Sequence, residues 1–228
     1  MKSISIILAR GGSKGLPKKN ILKINNKHLI SYTIEASIKS KYINKTIVSS
    51  DCQKILNISK EAGVEIHKRS DELSGDKVSS ELVLKNVLNS LLNVSEYDYL
   101  VLLQPTSPLR TEIHIDAAFK DIINSQATSL VSCKEVDNKL LKSFILDEKN
   151  YLKGVSNDEF PFMRRQDLPS LYMPNGGIYI TKLAEFMNSH RLFSDKTIMF
   201  EMDQDCSVDI DRIEDLVLAE KLIKQKFK

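Results

Sequence analysis

No stretch of this chain approaches the roughly 20 consecutive apolar residues that a bilayer span requires. The one apolar run near the start, residues 4–9, is shorter than the core of a secretion signal and leads directly into Arg10. Cysteine is scarce as well. Cys52, Cys133 and Cys206 are scattered, odd in number and without a CxxC pair, which excludes a disulfide framework and a cysteine zinc site. They read as buried thiols of a reducing compartment, so a cytoplasmic location is expected. His28, His67, His114 and His190 have no i,i+4 partner, which removes a histidine zinc site. Charge of one sign is also lacking: 33 Lys and Arg against 30 Asp and Glu leave only +3, with no basic run of five or more. Nucleic acid is therefore not an expected partner, and neither is a membrane. Internal repeats and low-complexity linkers are absent too. With 42% hydrophobic and 28% charged residues, the composition is that of an ordinary globular protein, and residues 1–228 are expected to form one domain.

What is present is an alternation of short β-branched runs and helical patterns. Residues 4–9, 46–50, 64–67, 99–104 and 129–134 read as strands, the fourth nearly all apolar as a central parallel strand should be. Between them, Leu29, Ile30, Thr33, Ile34 and Ser37 share one helical face, and Leu84, Val87, Leu88 and Leu91 form another stripe. Asp51 is expected to cap a helix that Gly63 ends, and Ser79 or Ser80 to cap the next. A weaker helix is expected over residues 114–124 and a closing amphipathic one over 214–227. The units imply an α/β fold: a mainly parallel sheet with helices on both faces and ligands at the carboxyl ends of its strands. From about residue 136 to 174 the pattern breaks into short strand-like pieces (143–146 and 151–155). An insertion of this length suggests a protruding dimerisation arm. Residues 178–180 and 197–201 look like returning strands.

Three segments carry chemistry. The run RGGSKGLPKKN (residues 10–20) follows the first strand, and its glycines let backbone N–H groups approach phosphate oxygens beside Arg10, Lys14 and Lys19. Its spacing matches neither a P-loop nor a GxGxxG fingerprint. The alternative is a solvated basic loop. In SVDID (residues 207–211), Asp209 and Asp211 point to one side of an extended segment, a pattern suited to Mg²⁺ held jointly with substrate phosphates. The alternative is a capping start, Asp211 with Glu214, for the last helix. In LQPTSPLR (residues 103–110), two prolines stiffen a loop of polar groups after the fourth strand. A fourth segment, residues 165–179, ends in a glycine pair before Tyr179 that could admit a bulky substrate. Ser13 and Ser107 lack the context of a hydrolytic nucleophile.

Together these segments resemble the acylneuraminate cytidylyltransferases. The residues that carry the resemblance are residues 7–20, VSSD (48–51), the Arg69 loop with DKVSS (76–80), LLQPTSPLR (102–110), RQ-LP with PNGGIYI (165–180) and SVDID. They occur in the family's order and cover nearly the whole chain. The resemblance implies a Rossmann-like nucleotidyltransferase, working as a homodimer, that joins CMP from CTP to the anomeric hydroxyl of a nine-carbon 2-keto-3-deoxy sugar acid. N-acetylneuraminate is the expected acid, and Mg²⁺ the expected cofactor. Arg10, Gly11, Lys14, Lys19 and Asn20 would then meet the nucleotide, with Arg69, Ser79 and Ser80 at the cytidine end. Gln104, Asn175, Tyr179 and Phe193 would line the sugar pocket, with Lys142 and Arg165 supplied by the partner protomer. Asp209 and Asp211 would hold the metal, and Arg10, Lys14 and Asp211 would be catalytic. Met173 and Leu192 depart from the family, which often has Arg and an aromatic there. Legionaminic, pseudaminic or an eight-carbon octulosonic acid are therefore competing substrates. A more remote alternative is a non-catalytic nucleotide-binding protein on the same fold.

Overall fold

The computed structural model describes residues 1–13 and 15–226, so Lys14 lies outside the described residues. In chain order the elements are β1 (Ser3–Leu8), a hairpin of β2 (Lys23–Ile24) and β3 (Lys27–His28), α1 (Leu29–Lys39), β4 (Lys45–Ser50), α2 (Gln53–Glu61), β5 (Glu65–Lys68), α3 (Ser80–Asn89) and β6 (Tyr99–Leu103). They continue with α4 (Glu112–Ile123), β7 (Ser129–Val136), a second hairpin of β8 (Phe144–Leu146) and β9 (Leu152–Gly154), β10 (Leu171–Lys182), α5 (Leu183–Ser189), β11 (Thr197–Glu201) and α6 (Ile213–Lys226). A seven-stranded sheet in the order β11-β7-β10-β6-β1-β4-β5 forms the centre. β1 pairs in parallel with β4 and β6, β4 with β5, and β7 with β11, whereas β10 is antiparallel to both its neighbours. Among the described residues no helix is long and apolar enough to cross a membrane.

Strand alternation splits the core between the two faces. Ile7, Val48, Val101 and Leu103 pack with α1, α2 and α4, while Ile4, Ile6, Ile47, Leu100 and Leu102 pack with α3 and α5. A smaller cluster of Ile24, Leu29, Leu109, Ile210, Ala219 and Ile223 seats α6 beside the β2–β3 hairpin. The apolar faces expected on α1 and α3 are buried, except that Leu91 is only half-buried. Gly63, at φ +82°, ends α2 in the left-handed region as its position suggested.

The expected boundaries needed three corrections. Asp51 does not cap α2: Cys52 holds that position, and the Asp51 carboxylate instead accepts the Gly11 N–H at 2.8 Å. The last helix is not opened by Asp211 with Glu214, because Asp215 Oδ2 accepts the N–H groups of Asp211 and Arg212 at 3.0 and 2.8 Å. Residues 171–174 are not part of the arm but the first part of β10, paired with β7 from Leu171↔Val136 to Pro174↔Cys133. Pro174 and the glycine pair hid this strand, and the register shifts between Pro174 and Tyr179. Phe227, expected to close α6, lies outside the described residues.

This topology gathers the chemistry at one end of the sheet. Ile7 is level with Val48 on one side and Leu103 on the other, so the loops after β1, β4 and β6 emerge together. Antiparallel β10 brings Tyr179 level with Leu102, placing its bulge at the same end. Arg110, fully buried, ties the loop after β6 to α1 by donating from Nη2 to Thr33 Oγ1 at 2.7 Å. With no other partner among the described residues for Nε or Nη1, burial pulls its guanidinium down to about 9. Phe186 sits at 0% exposure between α5 and the sheet. Phe186→Ala is expected to lower the free energy of unfolding by about 3–5 kcal/mol, measured by urea denaturation.

Candidate active site

A cavity of about 230 Å³ opens at this end, lined by Leu8, Arg10, Ser13, Lys19, Asn20, Ser80, Leu102, Gln104, Pro105, Thr106, Asp209 and Asp211. It unites four segments far apart in the chain. The loop after β1 supplies the cations. Arg10 Nη1 meets Asp76 Oδ1 at 2.6 Å, and Lys19 Nζ donates to Asp211 Oδ1 at 2.8 Å and to the Ile210 carbonyl at 2.6 Å. Asn20 is buried and donates from Nδ2 to the Arg10 carbonyl at 2.9 Å, which fixes its amide orientation. Its Oδ1 then points inward as a buried acceptor with no partner among the described residues. That atom suits a hydroxyl or amino donor of a ligand better than a phosphate oxygen.

Glycine is required where this loop meets its neighbours. A Cβ on Gly11 would lie 2.7 Å from Cys52 Cβ, and one on Gly15 would lie 2.7 Å from the Asp211 carbonyl. The second contact presses the loop against the carboxylate segment. Asp209 and Asp211 lie on that segment, whose Ile210 N–H is held by the Thr106 carbonyl at 2.9 Å. Asp211 is 71% exposed on its side chain, whereas Lys19 is only 12% exposed. The Asp209 carboxyl borders the open cleft, yet the protein around it raises its pKa by desolvation; Thr106 opposes with a hydrogen bond, Asp211 and Asp215 add to the rise, and Lys19 opposes. Two carboxylates bordering one cavity, one of them destabilised as an anion, fit the donor set of a divalent cation completed by phosphate oxygens. The described residues hold no group of three or more His, Cys, Asp or Glu able to bind a metal alone.

The other expected residues are spread more widely. Ser80 lines the cavity, but Ser79 is used to cap α3, its Oγ accepting the Leu82 N–H at 3.2 Å. Arg69 is buried beneath the loop after β4, donating to the Ser49 carbonyl from Nη2 at 2.9 Å and to Ser49 Oγ from Nε at 3.3 Å. Burial lowers its pKa, Asp51 opposes that and Arg10 adds to it. Tyr179 and Phe193 line a second, larger cavity of about 660 Å³ with Glu81, Arg191 and Leu192. Burial raises the Tyr179 pKa first, and the charge of Asp209 raises it further, so the phenol stands within electrostatic reach of Asp209. Asn175 lines neither cavity, its side chain being engaged inside the protein. Lys142 and Arg165 belong to the arm: Lys142 Nζ donates to the Met163 carbonyl at 2.7 Å, and Arg165 lies 3.6 Å from Asp137 and borders a separate cavity of about 860 Å³. Thr106, Asp76 and Asp51, each in contact with a site group, escaped sequence reasoning; they lay within the segments singled out, but nothing in their spacing marked them.

A family model described as a cytidylyltransferase matches residues 4–227. An N-acylneuraminate cytidylyltransferase of Streptococcus agalactiae serotype V is 35% identical over 219 residues, 95% of this chain and 52% of that protein. The chain thus spans about half the length of such relatives. A pseudaminic acid cytidylyltransferase of Campylobacter jejuni serotype O:2 is 30% identical over 226 residues, 98% of this chain and 97% of that one. In fold, the chain is similar to a CMP:2-keto-3-deoxy-manno-octonic acid synthetase solved with CTP, at TM-score 0.74 and 16% identity, covering 99% and 100% of the two chains.

Because the ionised form of Asp209 is disfavoured in the folded protein, it lowers stability wherever it is charged. Its raised pKa makes that penalty complete above the folded value and absent below the ordinary carboxylate range. Asp209→Asn is therefore expected to melt at a higher temperature than the unaltered protein at pH 7. The gain should vanish as the pH falls through the raised range to below the ordinary one, as scanning calorimetry across pH would show.

Proposed function

This chain belongs to the cytidylyltransferase family, and from that premise we propose that it transfers CMP from CTP to the anomeric hydroxyl of a nine-carbon 2-keto-3-deoxy sugar acid, releasing pyrophosphate. N-acetylneuraminate is the acid this reading favours. The observation that carries it is the meeting of Arg10, Lys19, Gln104, Asp209 and Asp211 around one cavity at the carboxyl end of the sheet. The sugar acid and the triphosphate are both anions, so repulsion is the first obstacle. Arg10 can exchange Asp76 for a phosphate oxygen, and the Gly11 N–H and Lys19 lie beside it. Lys14 belongs to the same proposal on sequence grounds. Mg²⁺, held by Asp209, Asp211 and the phosphates, would neutralise charge and ease loss of the hydroxyl proton. As the sugar oxygen bonds to the α-phosphorus, the bond to the bridging oxygen breaks, and pyrophosphate leaves in line. Asp211, the more exposed carboxylate, is the proposed acceptor of the hydroxyl proton. Asp211→Asn should then lower kcat/KM by about 100-fold or more, while near-normal turnover would exclude both its roles.

Pseudaminic or legionaminic acid is a second reading. It is favoured by the pseudaminic acid relative that matches over nearly its whole length, and by the apolar lining of Leu192, Phe193, Ile198 and Met199 in the larger cavity. Pyrophosphate release from CTP with each acid in turn separates the readings. Release with one nine-carbon acid alone identifies the substrate, whereas no release with any acid would leave nucleotide binding without catalysis.

The homodimer forms part of the same proposal. The arm exposes Leu140, Phe144, Ile145, Leu146, Tyr151, Leu152 and Phe162, an apolar concentration that a monomer has no reason to keep in water. Docked on a partner, it would bring Lys142 and Arg165 towards the partner's sugar cavity. Leu146→Asp together with Phe162→Asp is expected to give a monomer in sedimentation velocity and to weaken sugar-acid binding more than CTP binding.

A further inference from the structure

Asn175 was expected at the surface of the sugar pocket, but only 3% of it is exposed. Its Oδ1 accepts the Ser132 hydroxyl at 2.6 Å and the Gly177 N–H at 3.0 Å, and its Nδ2 donates to Ser207 Oγ at 2.9 Å. The proton directions are dictated by the ends of the chain of bonds. Ser207 Oγ must donate to the Met202 carbonyl at 3.2 Å, so it accepts from Asn175. Ser132 Oγ accepts the Ile178 N–H at 2.7 Å and uses its own proton on Asn175 Oδ1. Both Oδ1 acceptor positions are thereby filled. The Asn175 carbonyl also receives the Ser107 hydroxyl at 3.5 Å, linking the network to the loop after β6.

Ser207 is two residues before Asp209. The carboxylate segment is held at Ser207 by Asn175, at the Ile210 N–H by the Thr106 carbonyl, and at Ile210 and Asp211 by Lys19. Asp209 lies between the first two of these anchors. On its other side, Asn175 belongs to the β10 bulge that leads to Tyr179 in the larger cavity. We propose that Ser132, Asn175 and Ser207 are positioning residues: a buried relay that sets the Asp209 carboxylate for a divalent cation and keeps it in register with the sugar-acid cavity. The relay rests on the metal-assisted transfer proposed above. Removing the Ser207 hydroxyl leaves the Asn175 amide N–H unpaired and frees the segment two residues before Asp209.

The test uses the full chain with Ser207→Ala, Ser207→Thr and Ser132→Ala, each first checked for a cooperative melt. Mn²⁺ binding to the protein–CTP complex is read from loss of the free-ion paramagnetic resonance signal against a CTP-only control. Amide exchange over residues 206–211 is followed in metal-free protein. Ser207→Ala should weaken Mn²⁺ binding by about 10–100-fold, speed exchange over the segment, and lower kcat more than it raises the KM for CTP. Ser207→Thr, which keeps the hydroxyl, should restore most of the loss, and Ser132→Ala should fall between. Unchanged Mn²⁺ affinity and unchanged exchange in both alanine variants would overturn the relay. If the unaltered protein itself failed to bind Mn²⁺, the metal reading would fall, while the exchange data would still decide whether the relay anchors the segment.

Discussion

Between the loop after β1 and the stretch before α6 stands the Lys19 ammonium group, largely withdrawn from water. Lys19 touches the Asp211 carboxylate and the neighbouring Ile210 carbonyl at once. Asp209 is reluctant to ionise first because the protein around it desolvates it, and repulsion from Asp211 on the same short extended segment adds to this. The lysine offsets part of that repulsion and draws the segment towards a loop almost two hundred residues distant in sequence. Gly15 then allows backbone to meet backbone, since any side chain there would strike the Asp211 carbonyl. The placing of Asp211 at the edge of the cavity follows from this contact.

Much of this was legible in the chain itself, for physical reasons. The strands of the parallel half announced themselves because buried central strands are continuous apolar runs. β10 was read as a fragment because a proline and two glycines, which usually end strands, here shape a bulge inside one. The carboxylate pair and the basic loop were visible as local patterns, and both border the cavity. Partnerships across the sheet were not visible. Asp51 looked like a helix cap, and only the fold shows that the Gly11 N–H claims it. Asn175 was expected in the sugar pocket from the resemblance alone; its burial depends on Ser132 and Ser207, which no spacing rule connects to it.

The donors proposed to meet the phosphates are already occupied by acids of the same chain: Arg10 by Asp76, Gly11 by Asp51 and Lys19 by Asp211. Such pairing preorganises the cleft, since the cations need not be gathered when a ligand arrives. It also sets a threshold for entry. A ligand with a single negative charge gains little by displacing a carboxylate that is already well placed, whereas a triphosphate accompanied by a cation offers several oxygens and returns a partner to each displaced acid.

β10 runs from the root of the arm at Leu171 to the far end of the sheet at Lys182, level with Tyr99, with Tyr179 level with Leu102 of the central strand. One continuous ribbon thus joins the arm to the larger cavity lined by Tyr179, with no linker between them. The irregularity in that ribbon is the bulge between Pro174 and Tyr179. Wear and adaptation should therefore collect in those few residues: drift in acid preference among related chains belongs there, where a small change in backbone pitch re-aims an aromatic ring without unseating the sheet.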